Sequence, residues 1–184
     1  MFFKKHTKDE AIEILIDRIY QVLSLEPWKS NGLIFLEFGC FAIHCVDRLT
    51  QAKGGWFKTS DFFDLLTERF LISYVKSIEE TPEVLEFAHS VFKNRQHIYG
   101  NCKGFSGMGL GNVSYVYGVY ERKVIEDIDL DFDGVEDFLI GKRKVRPEEI
   151  ELFPDPMESL QSSIKALEII KNLELDRVIK KTKL

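Results

Sequence analysis

From Leu33 to Val46 the chain carries fourteen consecutive residues in which Glu37 and His44 alone interrupt an otherwise apolar run. A helix over this stretch, predicted from about Asn31 to Gln51, has too many apolar residues for one face and must be surrounded by other elements. The Gly54-Gly55 pair ends it, because successive glycines favour a turn. The run falls short of the ~20 residues needed to cross a bilayer, so it reads as a buried central helix, with no membrane association expected.

The flanking stretches supply the covering. Thr7 and Glu10 have capping-box spacing, and Ile12, Leu15, Ile16, Ile19 and Leu23 recur at helical spacing, predicting a helix over 8–25 that Pro27 interrupts. Ser60 is placed to cap a third helix with Phe63, Leu66, Phe70 and Tyr74 on one stripe. Thr81-Pro82 starts a fourth, with Val84, Leu85, Ala88, Val91 and Phe92 inward. Five glycines, at 100, 104, 107, 109 and 111, then break any regular element. Beyond them two periodicities compete: Val113, Tyr115, Tyr117 and Val119 alternate as a strand would, while Val113, Val116, Tyr117, Tyr120 and Val124 line one helix face. The helical company upstream favours helix. Asp155-Pro156 with Glu158 caps a final helix bearing Leu160, Ile164, Leu167 and Ile170, and a lysine-rich tail suits its C-terminus.

The fold class expected is mainly α: a single-domain bundle of five to six helices over residues 1–184. It has a helical core at 8–98, a glycine-rich connection at 100–111 and a C-terminal part at 112–184. An irregular acidic excursion, with room for a small hairpin, occupies 127–153. At 184 residues, 45% hydrophobic and with 15 phenylalanines, the chain can bury one substantial core. A formal charge of −5 opposes attraction to a phosphate backbone, so nucleic acid is not an expected partner. The basic cluster Lys142, Arg143, Lys144 and Arg146 follows the acidic run and reads as its neutralising counterpart. The start Met1-Phe-Phe-Lys-Lys-His6 lacks the pattern of a secretory signal, and Cys40, Cys45 and Cys102 form an odd set without a CxxC pair. Both features point to a reducing cytoplasm, with the cysteines as packing residues.

Three segments carry candidate chemistry. Asp127-Ile-Asp-Leu-Asp-Phe-Asp133 followed by Gly134 resembles the opening of a calcium loop, with Asp129, Asp131, Asp133 and Asp137 at ligand positions. Its closing position is Ile140 where a bidentate carboxylate belongs, and Glu136 stands where an apolar residue belongs. The reading preferred is an extended segment with Ile128, Leu130 and Phe132 inward and the aspartates outward. No cofactor is then expected, with calcium or magnesium at those four aspartates as the alternative. On the central helix, Glu37, Cys40, His44 and Asp47 share a face. A Glu37 to His44 contact within the core is the plainer reading; a pocket using either as general base, or a zinc site completed by His97 and Cys102, are the chemical ones. The glycine cluster at 104–111 lacks a Gly-Lys-Ser/Thr ending and a G-x-G-x-x-G register, so it reads as a connection that docks through Phe105, Met108 and Leu110.

These features imply a non-catalytic protein-interaction module, of the inhibitor or immunity kind. Asp127, Asp129, Asp131 and Asp133 would form an acidic surface for a basic protein partner. A homodimer built on an exposed face of the last helix is a further expectation. The rival reading is a metal-dependent enzyme or sensor using the aspartates or the Glu37/His44 face.

Overall fold

The computed structural model describes residues 5–54, 56–78, 81–102, 110–128, 137, 139, 142, 144 and 152–183. The elements are helical: α1 (Lys8–Tyr20), a 3-10 turn (Gln21–Ser24), α2 (Gly32–Gly54), α3 (Trp56–Ile78), α4 (Pro82–Asn101), α5 (Leu110–Glu126), α6 (Pro156–Asn172) and α7 (Leu175–Lys181). Six of these have 13 residues or more, so the mainly helical bundle read from periodicity is what the chain forms.

Helix α2 occupies the centre. Every residue from Ile34 to Asp47 is buried, and α2 packs against α3, α4, α5 and α7. Asn31 starts it by accepting hydrogen bonds from the Leu33 and Ile34 amides. Around it, Phe35, Phe38 and Phe41 meet Trp28, Phe70, Tyr74, Tyr99 and Tyr117 in edge-on, tilted and stacked ring pairs. The α2–α3 crossing is close because Gly39 has no side chain. A Cβ there would sit 2.0 Å from the Phe70 ring, which is fully buried.

Most predicted boundaries match. Thr7 and Glu10 form the reciprocal capping box, with the Thr7 hydroxyl accepting from the Glu10 amide and the Glu10 carboxylate from the Thr7 amide. Thr81 caps α4, with Pro82 in its first turn. Residues 113–126 are helix, as their helical company favoured. The first helix is shorter than expected: the α form ends at Tyr20 and a 3-10 turn carries the chain to Ser24. The third begins at Trp56, ahead of Ser60.

The last helix departs most from expectation. It divides at Glu174, whose φ of 49° is left-handed, and the Arg18 guanidinium captures the freed Leu173 and Glu174 carbonyls. The bend lets Leu173 and Leu175 both face the core. Glu158 does not complete a capping box; Asp155 alone accepts from the Met157 and Glu158 amides, and the Glu158 carboxylate reaches Arg122 on α5. The spacing reads Leu160 and Ile164 as its apolar stripe; α6 instead buries Ser159, Ser163 and Ala166 against α5. Gly118 permits that contact: a Cβ there would lie 2.0 Å from the Ser159 carbonyl oxygen. Ser163 donates to Ser114 across the same seam at 2.9 Å. Small residues let the two backbones approach; Leu160 and Ile164 are left outside, while Leu167 and Ile170, of the same predicted stripe, pack partly buried against the core.

Near the chain ends, residue 6 pairs in parallel with residue 182, the His6 amide donating to the Lys181 carbonyl and the Lys183 amide to the His6 carbonyl, each at 3.0 Å. Lys53 at the end of α2 donates to the Ile179 and Thr182 carbonyls, completing the C-terminus of α7.

Candidate functional site

The polar face of α2 is built into the core. Glu37 is 5% exposed, and both its oxygens accept from Arg95 of α4, from Nε and Nη2, each at 2.7 Å. The guanidinium carbon of Arg95 lies 3.3 Å from the centroid of the Tyr120 ring on α5. Burial opposes the Arg95 charge, but Glu37 outweighs it and the Arg95 pKa is raised. The pair thus ties α2, α4 and α5 together as a bidentate, ring-covered ion pair.

His44, two turns further along the same face, contacts Gln96 at 3.1 Å and packs its ring 5.4 Å from that of Tyr99. Burial lowers its pKa to about 4, so the imidazole is neutral at pH 7. Glu37 and His44 therefore do not hold each other; each is taken by α4. Burial pushes the Cys45 thiol up to about 12 and Cys102 to about 11, and raises Cys40 well above its ordinary value. All three cysteines are free thiols that stay protonated at neutral pH. Among the described residues no three His, Cys, Asp or Glu side chains gather as a metal-binding group.

The acidic run lies mostly outside the described residues: Asp129, Asp131 and Asp133 do, as do Leu130 and Phe132 and most of 127–153. Asp127 is described. It is exposed, with φ of 52°, directly after α5, and the Ile128 amide returns to the Lys123 carbonyl at 3.0 Å, the bond pattern of a left-handed helix end. Ile128 packs against the core. Asp137 is exposed and forms an ion pair with Lys142 at 3.6 Å, which matches the neutralising reading of the basic cluster for that one pair. Of the glycine-rich connection, 103–109 lie outside the described residues.

A further site was not singled out from the sequence. Between the Glu26-Pro27 turn, α5 and α6 there is a cavity of about 400 Å³. Its wall includes Glu121, only 2% exposed, which shares neither of the faces read for chemistry. The Trp28 indole N–H donates to the Tyr117 hydroxyl at 3.2 Å, and that hydroxyl donates to Glu121 Oε1 at 2.6 Å. Burial, reinforced by the Glu121 charge, raises the Tyr117 pKa well above 10, so the phenol remains a donor. Lys165 of α6 crosses the cavity's edge, donating to the Glu26 carbonyl at 2.9 Å with its ammonium 4.8 Å from the Trp28 ring centroid. Arg122 bridges Glu126 and Glu158. The available signal was positional: Glu121 falls within the apolar face of Val116, Tyr117, Tyr120 and Val124, where a carboxylate needs a reason.

No helix among the described residues is long and apolar enough to cross a membrane. Compared with protein-family models, with curated proteins and with solved structures, the chain finds no match, so its site stands on its own residues.

Proposed function

We propose that this chain is a non-catalytic protein-interaction module, of the inhibitor or immunity kind, whose α6 docks a basic partner. The observation that carries the reading is the orientation of α6. Met157, Leu160 and Ile164 are 63%, 42% and 50% exposed on one side of the helix, while serines and alanine fill its buried side. A contiguous row of large apolar residues facing water is characteristic of an interface. Glu168 follows the row one turn on and is exposed, and the chain's formal charge is −5. An amphipathic partner helix with Leu and Lys or Arg would meet both the apolar row and Glu168, and the negative charge would speed its approach. Asp127, Asp129, Asp131 and Asp133 are assigned to the same partner. The Glu37/His44 form of the metal-dependent alternative is not carried further, because both oxygens of Glu37 are occupied by Arg95; Asp129, Asp131 and Asp133, its other form, lie outside the described residues.

Titration with a short amphipathic Leu/Lys helical peptide, against a Leu/Glu counterpart, tests the reading. The Leu/Lys peptide is expected to bind and the Leu/Glu peptide not. Changing Leu160→Gln together with Ile164→Gln is expected to weaken capture by about tenfold or more with helicity unchanged. Asp129→Lys with Asp131→Lys should weaken it further. A chain that instead self-associates in light scattering, and comes apart in the α6 double variant, would assign the face to a second copy and refute the basic partner.

A further inference from the structure

We infer that the cavity between the Glu26-Pro27 turn, α5 and α6 is a binding site for an alkylammonium or alkylguanidinium group, with Glu121 as its counter-ion. Among the described residues the Tyr117 hydroxyl is the one partner of the Glu121 carboxylate, and no Lys, Arg or His pairs with it. A carboxylate 2% exposed with a single neutral donor is an expensive arrangement inside a protein. Contrast Glu37, equally buried, which has a guanidinium on both oxygens. The fold knows how to compensate a buried acid, and at position 121 it places the carboxylate in a cavity wall instead.

The surroundings select the ligand's charge and shape. The cavity, at about 400 Å³, is within the range of small-molecule sites. The two cations on its wall are already committed, Lys165 to the Glu26 carbonyl and the Trp28 ring, Arg122 to Glu126 and Glu158. An anion would find no free donor charge and would face Glu121. A hard metal ion wants several oxygen ligands, and no acidic group of that kind assembles there among the described residues. A cationic head on an alkyl stem fits both features: the head meets Glu121, and the stem lies along Pro27 and Ile125. The Trp28, Tyr117, Glu121 hydrogen-bond chain fixes the carboxylate's orientation before the ligand arrives.

This site lies on a different side of α6 from Met157, Leu160 and Ile164, so it stands or falls apart from the docking face. The chemistry has two sources, a free small amine or the lysine side chain of another protein, and the test separates them. Calorimetric titration of the full chain uses 1,4-diaminobutane, Nα-acetyl-lysine methylamide and, as a charge control, succinate. At least one cationic probe is expected to bind with a dissociation constant of about 1 mM or tighter, and succinate not. Binding of the diamine alone identifies a free amine; equal binding of the capped lysine identifies a protein side chain. Glu121→Gln keeps an acceptor for Tyr117 and removes the charge, so affinity should fall about tenfold or more while the melting temperature holds or rises. Gln161→Trp, at an exposed lining position, should block binding with the buried network untouched. Failure of both cations to bind the unmodified chain, or binding undiminished in both variants, overturns the inference. A lowered melting temperature in Glu121→Gln with binding unchanged would make Glu121 a core residue only, and overturns it too.

Discussion

Glu37 and His44 show how one buried face accommodates two ionisable groups in opposite ways. Glu37 keeps its charge by gaining a guanidinium, and His44 gives up its charge because burial disfavours the imidazolium. Removing one half of the first pair leaves the other stranded. Arg95→Met should therefore cost about 3–5 kcal/mol, whereas Glu37→Leu combined with Arg95→Met should cost much less, as denaturant unfolding of the two variants would show. For His44 the folded pKa, about 4, lies below the unfolded 6.5, so acid protonates the unfolded chain first. Its contribution is complete above about pH 6.5 and disappears as the pH falls toward 4, an upper bound of about 3 kcal/mol. Unfolding at pH 7 and pH 4.5 should show a smaller acid loss in His44→Asn than in the unmodified chain. The sequence exposed both residues as anomalies in an apolar helix. It hid their partners, because Arg95 and Gln96 lie more than fifty positions away and nothing local marks an arginine as the one turned inward.

Helices were readable because their signals are local: Thr7 with Glu10, Thr81 with Pro82 and Asp155 with Pro156 each cap the helix they precede. Which side of a helix is covered is decided elsewhere. On α6 the hydrophobic pattern favours Leu160 and Ile164, yet Gly118 brings the backbone of α5 against that of Ser159 and Ser163, and this is the side that is buried. Two glycines test this. Gly118→Ala places a methyl against the Ser159 carbonyl and should destabilise by about 1–3 kcal/mol. Gly100→Ala in the last turn of α4 meets nothing within 4 Å and should stabilise by about 0.5–1 kcal/mol. Thermal melts of the pair should move in opposite directions. The cavity at Glu121 was equally hidden, since the Glu26-Pro27 turn, α5 and α6 come together only in three dimensions.

At the scale of the molecule, α7 closes what α1 and α2 leave open. Leu175, Val178 and Ile179 are buried, and each such side chain contributes about 1.5–3 kcal/mol. Deleting the chain after Glu174 removes all three, a loss comparable with the whole stability of a typical domain. The shortened chain should retain far-ultraviolet helicity, lose its near-ultraviolet signal and bind a hydrophobic dye. The pairing of residue 6 with residue 182 has a mechanical consequence. Because the two segments run parallel, tension applied at the chain ends pulls them past one another and loads both backbone hydrogen bonds together. Stretched from its ends, the bundle should resist as a sheared clamp and then release in one step, whereas a handle moved to the α3–α4 turn would peel it helix by helix.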